Sequence, residues 1–237
     1  MRVLFIVDPQ NDFVDPKGSL YVKGAERAID NICEFIKNEQ IDRIIVSQDT
    51  HQHYHIGHSE YWRGNPTPGT QIKIPEDIDS GRYLPRSSDL TRIKELNSGK
   101  TITIWPHHCI EGSWGQAFPD RLVEALNIWS SRKLQNYEVY TKGKYPHNEA
   151  YSLLDDYTPN FLGTTELLVC GFCKDICVYE TLKAIIQTRI LPKIRENMIT
   201  VLDTCTLPYG PDDDSLKRKY QELLDIFENS NEFSTNF

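Results

Sequence analysis

The sequence has no apolar stretch near the roughly 20 residues that a membrane-crossing helix requires, so no bilayer span is expected. It has no basic cluster either, and its formal net charge of −8 argues against a nucleic-acid-binding surface. Paired cysteine spacings are scarce. Of the six cysteines only Cys170 and Cys173 form a C-x-x-C pair, and one pair without a second is weak support for zinc or redox chemistry. With Cys33, Cys109, Cys177 and Cys205 they are read as reduced thiols of a reducing compartment. A secretory leader pattern is also missing: residues 3–7 are apolar but too few, and Asp8 stands where a small residue is needed. A cytoplasmic protein is expected. No repeat is visible, and 237 residues with 25% charged and 39% hydrophobic content fit one α/β domain over 1–237. Only residues 229–237 have the composition of a flexible tail.

What the sequence does have is a set of short apolar runs that each stop at a reactive residue. Residues 2–7 end at Asp8, and 43–48 end at Asp49 with His51 just beyond. Residues 137–141 end at Lys142, and 166–171 lead, six residues on, to Cys177. A fifth run covers 198–203, and 101–105 is a shorter piece. Helical stripes lie at 24–38, 116–129, 175–188 and 212–228; the first places Ala25, Ala28, Ile29, Ile32, Cys33 and Ile36 on one face. The pattern predicts an α/β fold of three layers, α/β/α, with helices crossing over a mainly parallel, Rossmann-like central sheet. Ligands bind such sheets beyond the carboxyl ends of the strands. A carboxylate, an ammonium, a thiol and a candidate metal site therefore share one crevice, which is an enzyme's equipment.

Cys177 falls near the start of a helix, where the dipole lowers a thiol's pKa and raises its thiolate fraction. Most cysteines are simply small core residues, but this placement favours a nucleophile. Asp8 then serves as the base that takes the thiol proton and returns it to a leaving amine, against the plainer reading of a strand-end turn cap. Lys142 holds both groups in charged form; a solvated lysine is the bland alternative, and Lys144 is the rival. Asp49 and His51, two apart on an extended segment, leave the same face. His53, His55 and His58 follow, and His107 and His108 come far along the chain. One carboxylate with two imidazoles suits zinc, iron or manganese, and spacing leaves open which histidines bind. The span 51–104 reads as a long insertion, irregular and rich in Gly and Pro to residue 85; so long a loop is usually functional, here as a rim.

The motifs in their order resemble the isochorismatase-like cysteine hydrolases, nicotinamidase/pyrazinamidase branch. Asp8-Pro9-Gln10-Asn11-Asp12-Phe13, with Gly18-Ser19-Leu20 and Gly24-Ala25-Glu26 after it, is similar to D-x-Q-N-D-F…G-S-L…G-A-E. Asp49-Thr50-His51, with His55 four residues on, resembles D-W-H-P-x-x-H, and Trp105-Pro106-His107-His108-Cys109 resembles W-P-x-H-C. Lys142-Gly143 with Tyr151-Ser152 resembles K-G…Y-S, and Gly171 to Val178 resembles G-x-A-T-D-Y-C-V. The resemblance implies that family's fold and a catalytic triad of Asp8, Lys142 and Cys177. It implies a divalent metal, zinc before iron or manganese, on Asp49, His51 and His108, with His55 and His58 as further candidate ligands. Phe13 would wall the substrate pocket. The pair Cys173-Lys174 would carry a cis peptide bond that aims N–H groups at an oxyanion. Amide hydrolysis follows, nicotinamide to nicotinate through a thioester, with NAD salvage as its setting and a homo-oligomer by analogy. Alternatives are an amidase or carbamoyl hydrolase acting on another small amide and, more remotely, a non-catalytic binding member. The sequence departs from the pattern at Cys173-Lys174, at Thr50 and Gln52, and through 56–83, so the substrate is the least determined expectation.

Overall fold

Alternation of side chains on short strands builds the core. In β1 (Arg2–Val7), Leu4 and Ile6 turn to one face of the sheet while Val3, Phe5 and Val7 turn to the other. The computed structural model describes residues 1–191 and 198–232. The central sheet contains β1, β2 (Arg43–Asp49), β5 (Glu138–Lys142), β6 (Glu166–Phe172) and β7 (Ile199–Leu207). They lie in the order β5-β2-β1-β6-β7, and every pairing is parallel.

After the one-turn helix α1 (Asn11–Val14), helices α2 (Ala25–Asn38) and α5 (Asp120–Lys133) cover the Leu4 face, and the stripe from Ala25 to Ile36 packs there with Leu122, Leu126 and Trp129. Helices α6 (Tyr179–Thr188) and α7 (Asp214–Glu232) cover the Phe5 face, with Leu182, Ile185 and Leu223. The three layers are those expected. The chain winds from β1 out to β2 and β5, then returns past β1 to lay down β6 and β7. Its direction reverses between β1 and β6, and their carboxyl ends open onto the crevice that such a switch point creates.

Several elements differ from the expectation. The segment at 101–105 becomes β4 (Thr101–Thr103), which pairs antiparallel with β3 (Gln71–Lys73) in a separate ribbon. Between β5 and β6 lies only a single-turn 3₁₀ helix, Leu153–Asp155. The fifth strand runs on to Leu207 because its polar second half still pairs with β6, Gly171 with Thr206 and Phe172 with Leu207, past a bulge. The insertion has a core of its own. Ile56, Tyr61, Trp62, Ile72, Ile74, Ile78, Ile93, Ile102 and Ile104 cluster between the ribbon, the short helices α3 (Glu76–Asp79) and α4 (Leu90–Leu96), and a 3₁₀ turn at Ser59–Tyr61. Helix α7 continues to Glu232, into the segment expected to be flexible, while 233–237 lie outside the described residues. Among the described residues no helix is long and apolar enough to cross a membrane.

Candidate active site

Each central strand delivers a group at its carboxyl end. Asp8 follows β1 with φ +47, a left-handed turn that aspartate tolerates, and is fully buried. Asp49 closes β2 and Lys142 closes β5, paired in register with each other. Cys177 sits on a π-helical turn, Lys174–Val178, between β6 and α6. These residues meet. Lys142 Nζ lies 3.1 Å from Asp8 Oδ2, 3.0 Å from Asp49 Oδ1 and 3.7 Å from Cys177 Sγ, and it donates to the Ala150 carbonyl at 3.0 Å. Ser47 Oγ donates to Asp8 Oδ1 at 2.7 Å. Asp8 Oδ2, in contrast, is buried against the Lys142 ammonium and receives no further hydrogen bond. Lys144, the rival lysine, is exposed and pairs with Glu111 on the surface.

Burial pushes the Asp8 carboxyl above its ordinary range, with Lys142 and Ser47 pulling it partly back. Burial opposes charge on Lys142 too, but Asp49 and Asp8 outweigh it and keep the ammonium well above its usual pKa. The Cys177 thiol departs from the expectation. Burial lifts it well above the ordinary cysteine value, and Lys142 offsets this only in part because Asp8 and Asp49 add to the rise. A helix dipole acts on a thiol at a solvated first turn, whereas this sulfur is enclosed beside two carboxylates. Enclosure of this kind favours the neutral thiol.

The opening motif is scaffold around these groups. Gln10 receives the Asp49 N–H at 2.7 Å and donates to the Asp49 carbonyl at 2.7 Å, so it staples β1's end to β2's. Asp12 takes the Cys109 N–H at 2.6 Å, which fixes the segment carrying His108.

Asp49, His51 and His108 are the group among the described residues whose donor atoms lie within 4.8 Å of one another. Nε2 of His51 and of His108 approach Asp49 Oδ2 at 3.0 and 3.3 Å. Their Nδ1 atoms face carbonyls, Gly143 at 3.1 Å and Pro106 at 2.8 Å, which makes Nδ1 the protonated donor. The remaining lone pairs and the carboxylate then converge on one point, an arrangement that calls for a cation. His55 does not join this group: Nε2 bonds the Asn148 carbonyl and Nδ1 accepts the Gly57 N–H, both at 3.1 Å, so both ring nitrogens are engaged. His58 uses Nδ1 on the His53 carbonyl, while its buried Nε2 has no partner and lies outside the converging group. Glu149 was not anticipated. Its Oε2 is buried without a hydrogen bond beside the same pocket, and the signal was an acidic residue seven positions after Lys142.

The pocket, about 400 Å³ with its open mouth, has Cys177, Lys142, Asp49, His51 and His108 at the polar end. Phe13 lines it with Leu20, Trp105, Ile176 and Tyr209. Cys173 lies against it as well, but the Lys174 side chain turns away to Asp203 at 3.2 Å and Asp212 at 3.7 Å. The cis peptide bond is Phe172–Cys173, one position before the expected pair. The motif marks residues rather than bonds, and β6 pairs only as far as Phe172.

No family model matches the chain. It is 26% identical to the nicotinamidase of Saccharomyces cerevisiae over 236 residues, covering 94% of this chain and 95% of the relative. The crystal structure of the yeast nicotinamidase bound to the inhibitor nicotinaldehyde superposes with a TM-score of 0.72 at 23% identity, over 95% of this chain and 97% of that one. The pyrazinamidase of Pyrococcus horikoshii in complex with zinc gives 0.55 at 20% identity, over 95% of each chain. End to end, the chain is similar in sequence to nicotinamidases, and it shares the fold of the solved nicotinamidase and pyrazinamidase structures.

Proposed function

We propose that this chain is a metal-containing cysteine amidohydrolase that converts nicotinamide and water to nicotinate and ammonia. The observation that carries it is the contact of one buried ammonium, Lys142, with Asp8, Asp49 and the Cys177 sulfur in a single pocket. The relatives' activity supports the substrate.

Cys177 Sγ attacks the carboxamide carbon as Asp8 takes its proton. Such a base suits a thiol whose burial favours its neutral form, and burial raises the affinity of Asp8 for the proton as well. Backbone N–H groups about Cys173 and Cys177 receive the tetrahedral oxyanion; one such donor is typically worth about 10²–10³ in rate. The C–N bond breaks, the nitrogen takes the proton from Asp8, and ammonia leaves a thioester. Asp8, again a carboxylate, removes a proton from water as it attacks. Nicotinate departs and Cys177 recovers its proton. Lys142 stays charged throughout and holds the paired carboxylates against repulsion.

Asp49, His51 and His108 would hold a divalent ion, zinc before iron or manganese, and when bound it supplies a Lewis-acid pole for a heteroaromatic nitrogen. Glu149, which lines the same pocket with a buried and unpartnered Oε2, would offer one more acceptor beside such an ion. Six free cysteines support a cytoplasmic setting.

The test is ammonia release from nicotinamide, pyrazinamide and simple carbamates by the purified protein and by Cys177→Ala, with metal measured on both. The variant should lose turnover to background and keep its metal. Turnover retained without the sulfur would refute the nucleophile, and a preference for carbamates would select the carbamoyl hydrolase reading.

A further inference from the structure

Four strands of the central sheet contribute a reactive group at their carboxyl ends, and the fifth, β7, contributes a ring. The loop after β7 bends back over the pocket and sets Tyr209 into its wall. The phenol meets Trp105 edge to face, with centroids 5.7 Å apart and planes at 89°. Tyr209 remains 47% exposed, a large aromatic held at a mouth rather than packed in a core.

That position is held from the nucleophile's own turn. Asp175, two residues before Cys177, accepts the Tyr209 N–H on Oδ1 and the Gly210 N–H on Oδ2, each at 2.8 Å. A Cβ on Gly210 would lie 3.0 Å from that Oδ2, so the approach suits glycine. Lys174 reinforces the junction: its ammonium reaches Asp203 and Asp212, and its carbonyl accepts from Tyr220 Oη at 2.6 Å. The turn that carries the sulfur and the loop that carries the ring are therefore clamped together.

We propose that Tyr209 is a specificity-determining residue for flat aromatic carboxamides, and that Asp175 is its positioning residue, locking the ring to the turn that presents Cys177. The inference rests on the amidohydrolase reading above. With Phe13, Leu20, Trp105 and Ile176, Tyr209 completes an apolar slot whose polar groups lie at one end. Such a slot favours a planar ring bearing one amide over an aliphatic amide.

Steady-state ammonia release from nicotinamide and from propionamide tests this in the wild type and in Tyr209→Ala, Tyr209→Phe, Asp175→Asn and the Ala/Asn double variant. Tyr209→Ala should raise KM for nicotinamide about three- to tenfold, the worth of one aromatic contact, with a smaller change in kcat. KM for propionamide should move by less than about twofold, and Tyr209→Phe should match the wild type. Asp175→Asn should raise KM for nicotinamide in the same direction, and the double variant should be no worse than the worse single one, since both act through one ring. An unchanged KM in Tyr209→Ala, an equal rise for both amides, or additive effects would overturn the proposal. If Asp175→Asn melts at assay temperature, Gly210→Ala presses on the same clamp and should reproduce the KM rise; no rise there counts against it. If the wild type releases no ammonia, the hydrolase reading fails by itself, and calorimetry with nicotinate decides the role of Tyr209. A Kd about three- to tenfold weaker in Tyr209→Ala supports it, while equal Kd values or no binding to the wild type overturn it.

Discussion

The central sheet and the 51–104 insertion both bury apolar side chains, but the two cores are built on different patterns. In the sheet, one face takes Leu4, Ile6, Ile44 and Val46 and the other Val3, Phe5 and Ile45, so burial on both sides writes a continuous apolar run into the sequence. In the insertion the buried residues are single isoleucines and aromatics separated by turns, with no period to detect. The sheet's core holds the strands whose ends carry Asp8, Asp49, Lys142 and Cys177. The insertion's core holds a rim, and it reaches the chemistry through its borders: Trp105 donates its backbone N–H to Gly57, and Tyr61 Oη bonds His147 at 2.6 Å. Regular burial positions reactive groups, and irregular burial shapes what surrounds them.

The division breaks if the insertion's core turns out to be dispensable. Trp62 is fully buried and donates Nε1–H to the Ile56 carbonyl at 2.7 Å. Trp62→Ala should cost about 3–5 kcal/mol, read by chemical denaturation. The expected companion is a rise in KM for nicotinamide with the metal retained. Loss of the metal as well would show that rim and site are one cooperative unit.

A smaller effect sharpens the comparison at the sheet's edge. Gly143 has φ +73, and a Cβ there would lie 2.8 Å from His51 Cε1. Gly143→Ala should weaken metal affinity by about 10- to 100-fold through the displaced imidazole, measured by competition with a chelator. An unchanged affinity would mean that the carbonyl contact to His51 does not orient the ring.

The smallest effect concerns protons. The Ser47 hydroxyl donates to Asp8 and favours its charged form, so removing it lets burial lift the carboxyl further. A higher pKa leaves less carboxylate at a given acidic pH. The acid limb of kcat/KM should therefore move to higher pH in Ser47→Ala while the plateau is nearly kept. A limb that stays in place would remove Asp8 from the role of base.

Most of the site was legible because parallel strands advertise their ends: Asp8, Asp49, Lys142 and Cys177 each stand at or just past an apolar run. What escaped lacked such a marker. Tyr209 follows the polar half of β7, where the apolar signal has stopped although pairing to β6 goes on. Glu149 lies in a segment without period between β5 and β6. The raised Cys177 thiol could not be read from helix position, since its cause is enclosure beside carboxylates from two other strands. His55 has a ligand's spacing, and only the carbonyl of Asn148 and the N–H of Gly57 reveal that its nitrogens are taken.

Asp49 faces two ways, with Oδ1 3.0 Å from the Lys142 ammonium and Oδ2 toward a pair of imidazoles. A single anion is thus shared by the candidate metal group and the proposed catalytic group. If those residues hold an ion as proposed, exchanging that ion for another would also change how strongly Asp49 draws the ammonium away from Asp8. Selectivity for the ion and acid–base tuning must therefore change in step.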